Sequence, residues 1–231
     1  MDSRNRKICI LGMHRSGTSC LTGVLQEAGL HLGPCHTWNP FNLKGNRENQ
    51  EFVDLNDAVL ESNGGSWDRP PERVVWLPEH RQRARDLLDG FGDSDVMGFK
   101  DPRTLLVLDG WKEVAGDLEF VGIFRHPNAV GESLKRRSHM ERKQALNLWY
   151  TYNKVLYRQY QEQPFPLLCF DDSEEVFRAR LELVIQEMGL CRPEGELEFY
   201  DSELKQYNNE AARRLPWKVR RLYGRLCDSS I

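Results

Sequence analysis

The chain has 231 residues, of which 39% are hydrophobic and 29% charged, a composition typical of one globular domain. The formal net charge of −3 gives no general attraction to nucleic acid, so we expect no nucleic-acid partner. No apolar run approaches the roughly 18 residues of a membrane-spanning helix, and the N-terminal residues lack the features of a secretory signal. The six cysteines are scattered without a C-x-x-C pair, so we expect reduced thiols, a cytoplasmic protein and no bound metal.

Short apolar runs alternate with amphipathic segments along the chain. Strands are predicted at 7–12, 95–100, 117–125 and 165–170. Helices are predicted at 18–29, 49–65, 78–92, 101–116, 126–137, 142–163 and 173–189. This order predicts a single α/β domain over residues 1–231, with three layers and a mostly parallel central sheet flanked by helices. Residues 31–95 are then an insertion of a long loop and helices, and 192–231 a C-terminal helical tail.

The stretch "LGMHRSGTSCL" (11–21) has the glycine spacing of a phosphate-binding loop, G-x-x-x-x-G, but no lysine follows the second glycine. A predicted strand precedes it and a predicted helix follows, so its backbone amides and the helix N-terminus would point at an anion. An ordinary strand-to-helix turn with two glycines is the alternative. The residues expected to bind the anion are Gly12, His14, Arg15, Ser16, Gly17, Thr18 and Ser19.

An ATP or GTP site of the Walker type fits this stretch less well. Such a site uses the missing lysine for the terminal phosphates and an acid at a strand end for magnesium. The acid at the corresponding strand end is Asp101, which has Lys100 beside it and Arg103 close behind. That neighbourhood favours an anionic ligand over a metal ion.

A second anion motif follows the third predicted strand, in "FVGIFRHPNAVGESL". Arg125 ends the strand, and Ser133 comes eight residues later, two turns into the next predicted helix. A cation and a hydroxyl so placed grip one phosphate. Considered alone, the pair is explained equally well as a surface arginine and an ordinary helix residue that bind no phosphate. Two anion motifs at the ends of neighbouring strands together favour a ligand with two anionic groups.

With both motifs, the chain resembles the sulfotransferases that use 3′-phosphoadenosine-5′-phosphosulfate (PAPS), over roughly residues 7–205. "GMHRSGTS" is similar to the 5′-phosphosulfate loop of that family, and the stretch around Arg125 and Ser133 to its 3′-phosphate motif. The segments "NLKGNRENQEFVDLND", "FKDPRTLLVLDGW" and "LWYTYNKVL" resemble its bacterial-type branch. The glycine-rich adenosine-contacting motif of the animal cytosolic branch is absent. The resemblance implies transfer of a sulfuryl group from PAPS, without a metal, to a hydroxyl or amine of a small-molecule, carbohydrate or lipid acceptor.

In-line sulfuryl transfer needs a base on the acceptor side and cations on the leaving-group side. Arg15 and Lys100 are expected to supply the positive charge. The first candidate for the base is Glu48, because the resemblance implies a glutamate at this point. Asp101 comes next, followed by His14 and His126. A plain helix-terminal acid, stabilised by the helix dipole, is the alternative for Glu48.

The acceptor pocket is expected between residues 31–47 and 64–80, where Trp38, Phe41, Trp67 and Trp76 offer aromatic walls. The basic tail is a solvated helix face, a lid over the cofactor, or a weak docking surface for an acidic acceptor or a membrane. Its cations are Arg213, Arg214, Lys218, Arg220 and Arg221. Two other function classes stay open: a P-loop kinase that uses ATP and magnesium, and a nucleotide-binding homologue without catalysis.

Overall fold

The computed structural model describes residues 6–38, 45–92, 94–191, 195, 197, 199 and 213–231. Its sheet has four strands: β1 (Arg6–Leu11), β2 (Val96–Lys100), β3 (Leu118–Phe124) and β4 (Leu167–Cys169). The strand order is β2-β1-β3-β4, and every neighbouring pair is parallel. All four carboxyl ends therefore lie at one edge of the sheet, and the predicted parallel α/β architecture is confirmed.

Helices cover both faces of the sheet, because alternate residues of each strand point to opposite sides. Ile8 and Ile10 of β1 pack with α1 (Thr18–Glu27) and α7 (Glu174–Glu187). Cys9 and Leu11 point into the larger core on the other face. The helices on that face are α2 (Gln50–Ser62), α3 (Pro78–Asp89), α4 (Leu108–Ala115), α5 (Pro127–Ser138), α6 (Arg142–Glu162) and α8 (Trp217–Ser229). The three-layer arrangement expected from the sequence is thus observed.

One predicted helix is wrong in type over its first half. Residues 101–116 form a 3₁₀ helix at Pro102–Val107 and only then α4. A 3₁₀ helix places residues three apart on the same side, and here both Thr104 and Val107 are buried. The amide of Asn56 donates to the hydroxyl of Thr104 at 3.1 Å, which holds this turn against α2.

The long insertion between α1 and β2 contributes α2 and α3. Part of its loop, residues 39–44, and most of 192–212 in the tail lie outside the described residues. No disulfide joins the six cysteines, all of which the structure describes, and Cys9, Cys20 and Cys169 are buried. None of the described helices is both long and apolar enough to cross a bilayer.

Candidate active site

The predicted site residues converge on the carboxyl edge of the sheet. Gly12 follows β1, Lys100 ends β2 and Arg125 follows β3. Because β1 lies between β2 and β3 in the sheet, these three strand ends are direct neighbours. The loop of residues 12–17, which the sequence predicts to bind phosphate and which we call the phosphate loop, therefore has Lys100 on one side and Arg125 on the other.

The backbone of this loop adopts a conformation that glycine permits. Gly17 has a φ of 91° and is the N-cap of α1, and Arg15 has a φ of 67°. A Cβ on Gly17 would lie 2.2 Å from the ring of Phe170, so a larger residue would clash as well as strain the backbone. The amide of Ser16 donates to the carbonyl of Met13 at 3.2 Å, which closes the turn. The N-terminus of α1 thus opens onto the loop, a geometry that suits an anion.

Two buried polar atoms of the loop have no hydrogen-bond partner among the described residues. Ser16 is fully buried, and its Oγ is unpaired. The Nε2 atom of His14 is likewise shielded and unpaired. Buried polar atoms in folded proteins nearly always have a partner. An oxyanion held by the loop would supply acceptors for both atoms, so the residues present fit a phosphosulfate group.

The loop lies in a concentration of positive charge. Arg15 donates from Nε to Oγ of Ser133 at 2.8 Å, which joins the two predicted anion motifs directly. Burial lowers the pKa of Arg15, and the nearby charges of Arg137, Arg125 and Arg136 lower it further. These guanidinium groups repel one another until an anion lies between them.

Arg125 is held by the end of β4 and by α6. Its Nε lies 3.4 Å from Oδ1 of Asp171, and its guanidinium lies 5.2 Å from the ring centroid of Phe170. The indole of Trp149 donates to the Arg125 carbonyl at 2.9 Å. The other oxygen of Asp171 accepts the backbone amide of His126 at 2.5 Å. The strand end that presents Arg125 is thereby fixed from two sides.

His126 caps α5, since its Nδ1 accepts the amide of Asn128 at 3.2 Å. Burial lowers its pKa, the charge of Asp171 opposes that shift, and Arg125 adds to it. The ring faces Tyr223 of α8 at 4.9 Å between centroids. The imidazole of His126 is thus engaged by the N-terminus of α5 and by Tyr223.

Glu48 and Lys100 form a nearly buried ion pair. The distance from Lys100 Nζ to Glu48 Oε1 is 2.7 Å, and the two side chains are 1% and 13% exposed. Lys100 Nζ also lies 3.4 Å from Oγ of Ser19 in α1. Glu48 is positioned by the residues around it: its carbonyl accepts the amide of His36, and the next residue, Asn49, caps α2. The pair therefore lies directly beside the phosphate loop.

Asp101 is fully engaged within the protein. Its Oδ1 accepts from the backbone amide and from Nη1 of Arg103, at 3.2 and 3.0 Å. Its Oδ2 accepts from the amide of Asn56 at 2.9 Å. Burial raises the pKa of Asp101 to about 6, with Arg103 opposing the shift and Glu48 adding to it. Arg103 is also paired with Asp57 at 2.6 Å, so this network orients a guanidinium beneath the site.

His14, within the loop, lies between two aromatic side chains. Its ring centroid is 4.8 Å from that of Trp67 and 5.9 Å from that of Tyr152. The hydroxyl of Tyr152 donates to the Trp67 carbonyl at 2.8 Å, which fixes this wall. Burial holds the pKa of His14 well below its usual value, and nearby cations, Arg103 first among them, lower it further. The imidazole is therefore neutral at physiological pH.

The aromatic residues expected around the acceptor have different surroundings. Trp67 lies against His14, whereas Trp76 is only 5% exposed and packs edge-on against Trp111 of the core. Trp38 is 63% exposed. Phe41 lies outside the described residues. Of the described three, only Trp67 contacts the phosphate loop.

Sequence reasoning missed several residues that orient the site. Asp171 directly follows the last strand, in "CFDD", so the rule that ligands bind at strand ends would have drawn attention to it. Asn56 and Trp149 act from inside helices, where nothing in the sequence distinguishes them from core residues.

Comparison with solved structures finds similar folds over nearly the whole chain, among them two sulfotransferase domains. The sulfotransferase domain from the curacin biosynthetic pathway has a TM-score of 0.61 at 14% identity, covering 95% of this chain and 96% of that one. The sulfotransferase domain from the Synechococcus PCC 7002 olefin synthase has a TM-score of 0.60 at 16% identity, covering 96% of this chain and 94% of that one. The chain has the fold of these sulfotransferase domains. No family model matches the sequence, and neither does any curated protein.

Proposed function

We propose that this protein is a sulfotransferase that moves a sulfuryl group from PAPS to a hydroxyl or amine of an acceptor. The observation that carries the proposal is the buried concentration of positive charge around the phosphate loop, with the unpaired Ser16 Oγ inside it. Two anion motifs meet there through the contact between Arg15 and Ser133. The fold similarity to two sulfotransferase domains supports sulfuryl over phosphoryl transfer.

The donor would be held at both of its anionic ends. Backbone amides of residues 13–15 and 17–19 and the hydroxyls of Ser16, Thr18 and Ser19 suit the 5′-phosphosulfate, and Arg125 with Ser133 suits the 3′-phosphate. When bound, PAPS supplies an activated sulfuryl group whose leaving group is 3′,5′-adenosine diphosphate. Charge develops on that leaving group during transfer, and Arg15 and Lys100 stabilise it there.

Glu48 is the proposed base. Its Oε1 is paired with Lys100, so Oε2 is the oxygen that accepts the proton of the acceptor hydroxyl. The same pairing holds the carboxylate beside the phosphate loop. Asp101 has both oxygens engaged by Arg103 and Asn56, which favours an orienting role for it. His14, neutral and next to Trp67, is the reserve candidate on the acceptor side.

A P-loop kinase is the competing enzyme class. It would need a loop lysine and a strand-end acid open to magnesium. The loop has Arg15 in a different position, and the carboxylate of Asp101 is occupied by protein donors. The kinase hypothesis is therefore the less favoured of the two.

The deciding experiment is thermal unfolding with 3′,5′-adenosine diphosphate, AMP, or ATP with magnesium. At about 100 times its dissociation constant, the diphosphate should add roughly 2.7 kcal/mol to the free energy of unfolding, without magnesium. AMP should add much less, because it lacks the 3′-phosphate. Greater stabilisation by ATP with magnesium would favour the kinase. An acceptor screen with labelled PAPS then separates an active enzyme from a homologue that only binds the nucleotide.

A further inference from the structure

A groove lies on the outer side of the molecule between α6 and α8, away from the phosphate loop. Its volume is about 400 Å³. We call it the α6–α8 groove, and its lining residues are Tyr150, Lys154, Tyr157, Arg158, Gln161, Trp217, Lys218, Arg221, Leu222 and Arg225. The inward side of α6, which includes Trp149 and Tyr152, is buried. The groove is thus formed by the opposite side of the helix that supports the candidate active site.

The α6–α8 groove is strongly basic in a chain whose net charge is −3. Two of its cations, Lys154 and Arg158, come from α6, and three come from α8. Arg158 is paired with Asp109 at 3.2 Å and with Glu162 at 3.7 Å. Among the described residues, no carboxylate lies within ion-pair distance of Lys218, Arg221 or Arg225. The groove therefore carries an excess of positive charge that the described part of the chain does not neutralise.

Aromatic rings hold the three α8 cations in place. Nζ of Lys218 lies 4.9 Å from the centroid of Tyr150. The guanidinium of Arg221 lies 5.3 Å from the Trp217 ring, and that of Arg225 lies 5.8 Å from the Tyr157 ring. Such contacts stabilise a cation and restrict its rotamers. An anionic ligand then meets cations that are already ordered, which lowers the entropic cost of binding.

The shape of the surface favours an elongated ligand. From Tyr150 to Gln161 the α6 axis rises by roughly 16 Å, at about 1.5 Å per residue. A second cavity, of about 510 Å³, shares Tyr150, Lys154 and Arg158 with the groove and continues past Asp109 towards Glu72 and Arg73. A peptide ligand of this length, roughly 16 Å, would have about five residues if extended or three turns if helical.

From this charge, shape and aromatic lining, we propose that the α6–α8 groove binds an acidic segment of a partner protein. Carboxylates of the segment pair with Lys218, Arg221 and Arg225, and its apolar side chains pack on Trp217, which is 65% exposed. This role is separate from sulfuryl transfer and does not depend on the proposed function.

Two other anionic partners fit the groove less well. A helix that binds a bilayer inserts its apolar face, but the apolar face of α8, formed by Val219, Leu222 and Leu226, is buried in the protein. Single-stranded nucleic acid stacks its bases on open aromatic faces. Here the rings of Tyr150 and Tyr157 are half-buried beneath Lys218 and Arg225, which leaves Trp217 as the exposed ring of the groove, too few for the stacking of successive bases. Both partners are included as arms of the test.

The test measures fluorescence anisotropy of a labelled peptide with four repeats of Glu-Glu-Leu. The other probes are a Lys-Lys-Leu peptide of equal length, vesicles of phosphatidylserine and phosphatidylcholine, and a twelve-nucleotide thymidine strand. We expect the full chain to bind the acidic peptide in preference to all three. The double variant Arg221→Ala, Arg225→Ala should bind it at least about 10-fold more weakly. Trp217→Ala should also weaken binding of the acidic peptide. Its melting temperature should equal that of the wild type, because the Trp217 side chain is exposed.

The matched control removes two exposed arginines from α3, in Arg83→Ala with Arg85→Ala. This pair changes the net charge equally, so the acidic peptide should bind it as it binds the wild type. An equal loss in the control pair would show that only net charge matters and would overturn the proposal. Absence of acidic-peptide binding, or tighter binding of the vesicles or the thymidine strand, would overturn it too.

Discussion

Replacing Glu48 by glutamine removes the negative charge that faces Lys100 and keeps the size of the side chain. The two groups are 2.7 Å apart, and the Lys100 side chain is only 1% exposed, so the variant leaves a buried cation without its counter-charge. Breaking a buried ion pair costs about 3 to 5 kcal/mol. The glutamine oxygen still accepts a hydrogen bond from Nζ, so we expect a loss of about 2 to 3 kcal/mol. In a chain of this length that lowers the melting temperature by about 4 to 12 °C.

The same variant should lose catalysis more than donor binding. Glutamine cannot accept a proton near neutral pH, so turnover should fall by about 10² to 10⁴. Affinity for 3′,5′-adenosine diphosphate should stay within about a few-fold of wild type, because the amide keeps the local hydrogen bonding while the base is lost. The assays are thermal unfolding with and without the diphosphate, and steady-state transfer at saturating donor once an acceptor is known.

Glu51→Gln is the matched control, because Glu51 is an exposed acid in the first turn of α2, three residues further along the chain. Glu51→Gln should lower the free energy of unfolding by less than about 1 kcal/mol and leave turnover unchanged. If Glu48→Gln behaved like Glu51→Gln in both assays, Glu48 would be an ordinary helix-terminal acid. Lower stability with near-normal turnover would show that the ion pair stabilises the fold but that Glu48 is not the base. Asp101 and then His14 would be the next candidates.

Three further predictions concern the neighbouring residues. Arg125→Ala and Ser133→Ala should each weaken diphosphate binding by about 1.5 to 3 kcal/mol in calorimetric titration; an equal loss for AMP would show that they do not bind the 3′-phosphate. Lys100→Ala should reduce both donor affinity and turnover, since its charge acts in the ground state and in the transition state; unchanged donor affinity would contradict this. Burial raises the pKa of Asp101 from 3.8 to about 6. The stability of the wild type relative to Asp101→Asn should therefore be greatest below pH 4, fall by about 1.4 kcal/mol per unit up to pH 6 and then level off; a pH-independent difference in chemical denaturation would refute it.

The parallel sheet could be predicted because its strands carry a strong local signal. Runs such as "KICIL" are apolar throughout, as strands covered on both faces are. The 3₁₀ helix after β2 could not be predicted in the same way. Its conformation depends on contacts such as the hydrogen bond from Asn56 to Thr104, which joins residues 48 positions apart. Local patterns in the sequence carry no information about that contact.

The same difference applies to the candidate site. Arg125 and Lys100 could be predicted to lie near the phosphate loop because each stands at the end of a strand. The pairing of Glu48 with Lys100 joins residues 52 positions apart across a long insertion. The role of Asp171 in holding Arg125 depends on β4 lying next to β3. Sequence reasoning identified Glu48, Lys100 and Arg125 but missed Asp171, and only the tertiary structure gave their pairings.

The order of the strands also fixes a distance. Lys100 and Arg125 stand at the ends of β2 and β3, with β1 between them, and adjacent strands lie about 4.8 Å apart. Two such spacings amount to roughly 10 Å between the strand ends that carry these cations. Backbone hydrogen bonds of the sheet maintain this interval, so side-chain substitutions at the rim leave it unchanged. In the proposed sulfotransferase, the sheet would therefore set the separation at which the two anionic groups of the donor are bound.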